Sequence, residues 1–204
     1  MPTPELSATE AFDEALRADA DGDEDRRWEL VRHLQRHGGR AALDLAARVA
    51  GHAEPAHRGL AADVLSQLQE LREEALTLLL TMARDETDPG VLSSIAVGFG
   101  HLGDERSVAP LIALHTHPDA DVRHSVAFGL LGRPETAALD TLITLSADED
   151  ARVRDWATFG LARQTDADFP RLRDALLARL DDEDDDTRAE AVEGLALRGV
   201  DVGR

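Results

Sequence analysis

The sequence predicts an all-α chain, a right-handed α-solenoid built from about six two-helix repeats. Three observations predict it. The stretch Arg152-Val153-Arg154-Asp155-Trp156-Ala157-Thr158-Phe159-Gly160-Leu161 recurs 31 positions earlier as Val122-Arg123-His124-Ser125-Val126-Ala127-Phe128-Gly129-Leu130, and 34 positions later as Thr187-Arg188-Ala189-Glu190-Ala191-Val192-Glu193-Gly194-Leu195. Apolar residues recur at helical spacing throughout, and no strand-like alternation is sustained. Finally, 43% of the residues are hydrophobic but only 3% aromatic, so any core is built from Leu, Ala and Val, which suits close helix packing.

In order, a short Pro-containing lead over residues 1–7 is expected to be flexible, and Ala8–Ala18 reads as the first helix, with Ala11, Phe12, Ala15 and Leu16 on one face. Asp19-Ala20-Asp21-Gly22-Asp23-Glu24-Asp25 breaks it. Its alternating Asp suggests a calcium loop, but Glu24 stands where that loop needs Gly and Leu30 where it needs Glu. These acids are better read as caps for the next helix. Arg26–His37 follows, stopped by Gly38-Gly39; then come Ala41–Ala50, His57–Gln69 and Glu73–Arg84. Past the Asp88-Pro89-Gly90 turn lie Val91–His101 and Ser107–His115, whose Pro110 is tolerable in a first turn. Val122–Leu131, Glu135–Ser146, Ala151–Arg163, Phe169–Leu180 and Asp186–Arg198 complete the series, with residues 200–204 as a tail. No linker is long enough to divide the array, so residues 1–204 read as a single domain, divergent over 8–103 and best matched over 104–199.

The second helices align on Arg27, Arg58, Leu92, Arg123, Arg154 and Arg188, spaced 31, 34, 31, 31 and 34 apart. Three and four positions on lie Leu30-Val31, Ala61-Ala62, Ile95-Ala96, Val126-Ala127, Ala157-Thr158 and Ala191-Val192; seven on lie Leu34, Leu65, Phe99, Leu130, Leu161 and Leu195. First helices keep register through Leu111-Ile112, Leu142-Ile143 and Leu176-Leu177. Each such face needs its neighbour to be buried.

With 22 basic against 41 acidic residues the formal charge is −19, and every basic residue is Arg. A field of that sign repels phosphate backbones, so nucleic acid is not an expected partner, whereas a basic protein is. Without cysteine there are no disulfides and no thiolate sites. No secretory leader or membrane span is legible, and a soluble cytoplasmic monomer is the expectation.

The Asp-rich turn, Val-Arg, small-residue helix and Gly-Leu together resemble the HEAT-like repeats of bacterial proteins, the class also seen in phycobilisome-lyase-type chains. The resemblance is clearest from Asp104 to Arg198. It implies a protein-binding scaffold whose second helices line a concave face. It also implies that the recurrent Arg123, Arg154 and Arg188 bridge repeats through turn carbonyls and Asp side chains, with Asp119, Asp150 and Asp184 four residues before each as candidate partners.

Outward-facing rows should then carry function. Five beyond each Arg position lie Arg32, Asp63, Val97, Phe128, Phe159 and Glu193; one beyond lie Trp28, Gly59, Ser93, His124, Asp155 and Ala189. Val97, Phe128 and Phe159 would form an apolar strip, with His124, Asp155 and Glu193 orienting a partner. Trp156 is read as a structural clamp, with Glu190 near it or near Arg154. No cofactor, metal or catalytic residue is assigned. His33 and His37 share a helix face without a third ligand, His115, His117 and His124 straddle a Pro turn, and Asp181–Asp186 reads as a solvated acidic turn. Phosphate loops, nucleophile elbows and base–orienter sets are absent by motif. The expected function is a non-catalytic interaction scaffold. The alternatives are an acidic inhibitor or immunity-type protein neutralising a basic effector and, more weakly, lyase-like handling of a chromophore or small ligand.

Overall fold

The computed structural model describes residues 6–203. Within them the chain forms twelve α-helices and two short 3-10 turns, with no strand. The helices are α1 (Ala8–Asp21), α2 (Glu24–His37), α3 (Gly39–Val49), α4 (Pro55–Leu65), α5 (Arg72–Asp85), α6 (Pro89–Leu102), α7 (Val108–Ala113), α8 (Ala120–Gly129), α9 (Thr136–Leu145), α10 (Ala151–Arg163), α11 (Pro170–Ala178) and α12 (Asp185–Leu197). They alternate as first and second helices of a repeat, the pattern of an α-solenoid. The chain falls into two compact units, Met1–Asp104 and Glu105–Arg204, each described by itself.

Local chemistry sets the boundaries. Ser7 and Glu10 form a reciprocal capping box at the start of α1, so of the expected flexible lead Ser7 is held, while residues 1–5 and Arg204 of the expected tail lie outside the described residues. The helix runs past Ala18 and ends where Gly22 adopts φ 72°, a left-handed position that favours glycine. Pro55, Pro89 and Pro170 open α4, α6 and α11, where a missing N–H costs nothing. The fourth helix is shorter than its apolar run suggests; it stops at Leu65, and Gln69–Leu71 turn separately as a 3-10 segment.

The core is the inward stripe of the second helices. Leu34, Leu65, Phe99, Leu130, Leu161 and Leu195 are all at 0% exposure. Of the small pairs three and four positions after the Arg register, only Val192 is not buried. At first-helix positions Leu111, Leu142 and Leu176 are buried, but Ile112 and Ile143 are half-buried and Leu177 is 44% exposed. The recurrent Gly lets neighbouring second helices approach. A Cβ on Gly194 would stand 2.7 Å from Ala162 Cβ, and one on Gly160 2.9 Å from Leu131 Cδ2.

Candidate functional site

The recurrent arginines Arg58, Arg123 and Arg154 direct their guanidinium groups onto the turns. In the second compact unit Arg123 donates through Nη1 to the carbonyls of His117 and Pro118 in its own turn. Its Nε and Nη2 fork onto Asp148 of the next repeat at 2.8 and 2.9 Å. Arg154 repeats the arrangement, with the Asp148 and Glu149 carbonyls behind it and Asp182 ahead at 3.0 and 2.9 Å. In the first compact unit Arg58 binds the His52 and Ala53 carbonyls and forks onto Glu86. A planar guanidinium satisfies both directions at once, which an ammonium cannot. Burial alone would raise the Asp148 and Asp182 carboxyls, but the arginine and a turn N–H outweigh it and hold both below the ordinary carboxylate range. Glu86 is brought down to about 2, chiefly by the Arg58 fork.

Asp119, Asp150 and Asp184 are not the partners of these arginines. They sit at N-caps, accepting from the backbone N–H groups of Asp121, Arg152 and Thr187 at 2.8, 2.9 and 2.8 Å. The bridging acids Asp148 and Asp182 lie two residues before Asp150 and Asp184, where their carboxylates also accept the N–H of the capping residue. Arg188 is no inter-repeat tie either; it binds the Asp182 carbonyl and the Asp185 carboxylate of its own turn. Where the register places Leu92 instead of Arg, the turn acid of the next repeat is replaced as well, by His117, whose Nδ1 accepts the Asp119 N–H. The acidic run Asp181–Asp186 is largely taken up by pairing: Asp182 and Glu183 with Arg154, Asp184 as a cap, and Asp185 with Arg188.

The residues facing outward come together around Trp156. Its ring lies 5.8 Å from His124, 5.6 Å from Phe128 and 5.8 Å from Phe159, each at a steep T-shaped angle. All four rings are half-buried. Trp156 is thus the centre of the aromatic cluster to which Phe128 and Phe159 belong. Such edge-to-face pairs contribute about 0.5–1.5 kcal/mol each beyond area burial. Burial and, secondarily, Arg152 hold the His124 imidazole below its usual pKa.

Asp155 is half-buried and makes no hydrogen bond or ion pair among the described residues. Burial first, then Asp184, Asp186 and Glu190, push its carboxyl up to about 6. Glu190 does not approach Arg154; with Glu193 it pairs to Arg163. Glu193 is therefore half-covered and already neutralised. Val97 is half-buried on α6 in the first compact unit, and in the same unit Asp63 is only 7% exposed and pairs with Arg27 instead of facing outward. Trp28 is 43% exposed, with the Arg27 guanidinium 4.9 Å from its ring centroid.

The His33 and His37 rings lie 5.2 Å apart, and His52 and His57 stack at 3.9 Å. His33 Nε2 donates to the Leu6 carbonyl at 3.1 Å, and His115 Nδ1 to the Ile112 carbonyl at 2.7 Å. Among the described residues no group of three or more His, Asp or Glu is disposed to hold a metal ion. Two acids of the Asp19–Asp25 stretch are engaged, Asp23 as the α2 cap and Asp19 in an ion pair with Arg27. Arg198, which the repeat register does not single out, donates to five carbonyls, those of Leu161, Ala162, Thr165, Ala167 and Gly194. It lashes the end of α12 to the end of α10. No helix among the described residues is long and apolar enough to cross a membrane.

Paired helices in repeating register, arginine forks between consecutive turns and an outward aromatic cluster define a helical-repeat protein. A family model described as HEAT repeats matches residues 11–100 and 108–196, and the chain belongs to that family. Among solved structures it is similar to YibA of E. coli, at 23% identity and a TM-score of 0.74, over 97% of this chain and 78% of that one. An engineered protein at 16% identity aligns with a TM-score of 0.60, covering 91% of this chain and 95% of its own. A designed armadillo repeat protein at 14% identity gives 0.59, with 90% and 98% covered. No curated protein matches the sequence.

Proposed function

We propose that this protein is a non-catalytic interaction scaffold that holds a segment of a partner protein against its second helices, acting as a monomer in the cytoplasm. HEAT repeats as a class suit protein binding. The observation that carries the reading is the cluster of Phe128, Trp156 and Phe159, three large rings left half-covered on the second helices α8 and α10. Aromatic residues of this kind dominate binding energy where a partner excludes water from them. The charge of −19 and the unpaired Asp155 favour a basic partner, which also accommodates an inhibitor of a basic effector.

The test is site-specific photo-cross-linking in the native host from a reactive residue in place of exposed Ala189, with a second placed at exposed Asp174 on α11. Cross-links from the first site alone, lost in a Phe128→Ser/Phe159→Ser variant that keeps its helicity, support the reading. Capture through the first helices, or capture that survives the double substitution, overturns it.

A further inference from the structure

Asp155 is a carboxylate without a cation, and the arginines around it are all engaged. On α10, Arg152 pairs with Asp121 and Asp150, Arg154 with Asp182, and Arg163 with Glu190 and Glu193. On α12, Arg188 pairs with Asp185 and Arg198 is spent on carbonyls. On α8, Arg123 is committed to Asp148. The charges that do reach Asp155 are of its own sign, from Asp184, Asp186 and Glu190. In a chain that pairs so many of its acids, a half-buried carboxyl left among three others is an electrostatic deficit that the protein does not fill itself.

Beside this deficit stands the aromatic cluster. Asp155 occupies on α10 the register position that His124 holds on α8, and Trp156 follows it directly in the chain. The Trp156 indole N–H donates to none of the described residues. Apolar rings adjoining an uncompensated carboxylate form the complement of a guanidinium on a short apolar segment. The planar cation can fork onto a carboxylate and lie against an aromatic face, and it gives up water more readily than an ammonium.

Resting on the scaffold reading above, we infer that the α8–α10–α12 face of the second compact unit takes a basic segment of the partner protein in which an apolar residue adjoins an arginine. The apolar side chain seats on Phe128, Trp156 and Phe159, and the arginine reaches Asp155. The cation has to meet an ionised carboxylate, so binding weakens as Asp155 is protonated below about pH 6. Asp184, Asp186 and Glu190 face it from the α12 side, while His124, at the equivalent position on α8, has Arg152, Asp121 and Asp150 around it.

The probe is a synthetic peptide carrying four Leu-Arg pairs, compared with versions carrying Leu-citrulline and Leu-Lys. Binding to the full chain is read from Trp156 emission in a Trp28→Phe background. Saturable binding of the Leu-Arg peptide is expected. It should weaken by about tenfold or more in Asp155→Asn, be unchanged in an Asp174→Asn control on the opposite helix row, and decline from pH 7.5 to pH 5. The citrulline peptide should bind weakly and equally to the parent and Asp155→Asn. No binding at millimolar peptide, equal binding of the three peptides, or an Asp174→Asn loss matching that of Asp155→Asn each overturns the inference. If the peptide fails while the photo-cross-link at Ala189 persists and still requires the two Phe residues, the scaffold reading stands and only the arginine-reading surface is lost.

Discussion

Arg154 and Asp182, 28 residues apart, are joined by two parallel hydrogen bonds of 3.0 and 2.9 Å, while the same guanidinium holds two carbonyls of its own turn. The Arg154 and Asp182 side chains are only 7% and 4% exposed. This is how consecutive turns in the second compact unit are fixed to each other.

Breaking that fork should be costly. Arg154→Ala leaves Asp182 buried with only Arg179 beside it, and a loss of about 3–5 kcal/mol is expected. Arg154→Lys should recover only part of it, because one ammonium cannot span both carbonyls and both carboxylate oxygens. Urea unfolding of the two variants checks the order; a lysine variant as stable as the parent would show that the fork geometry is immaterial.

Acid should weaken the first compact unit through Glu86. Its carboxyl is depressed from 4.5 to about 2, so the unfolded chain takes up the proton first, and the stabilisation is complete above about pH 4.5. It is lost as pH falls from there towards 2, amounting to about 3 kcal/mol in all. Glu86→Gln should lower the urea midpoint at pH 7 and flatten its slope between pH 4.5 and 2.

Asp155 should act with the opposite sign. Its folded-state value of about 6 lies above the ordinary aspartate value of 3.8, so the folded chain binds the proton more tightly. Stability from this group is gained as pH falls from about 6 towards 4 and is missing at neutral pH. Asp155→Asn should therefore raise the melting temperature at pH 7.5, with the gain fading by pH 4. A lower melting temperature at pH 7.5 would contradict the electrostatic account of this carboxyl.

Gly194→Ala tests helix approach. The added methyl would stand 2.7 Å from Ala162 Cβ and 2.8 Å from Ala162 Cα, and backbone cannot move aside as a side-chain tip can. Overpacking by one methyl should cost about 1–3 kcal/mol, more than alanine's better helix propensity returns. Calorimetry of the variant decides the sign.

The register of 31 and 34 residues, read from sequence, located every second helix and all six of the fully buried residues seven positions beyond the Arg register. It did so because burial on a helix is periodic, and periodicity is written along the chain. The same reasoning placed Asp63 outside, where the structure buries it against Arg27, since row position carries no information about a cation arriving from another helix.

What the chain determined by itself is thus the repeat, its packing stripe and the small set of rings and charges left over on the second helices. Only the tertiary structure decided that Arg154 reaches the following turn rather than its own Asp150, that Trp156 gathers His124, Phe128 and Phe159, that Arg198 clamps five carbonyls, and that Asp155 has no cation. The physical reason is one of range. Helix faces follow from neighbours three and four residues away, whereas each of these partnerships depends on how far one helix is displaced and rotated against the next.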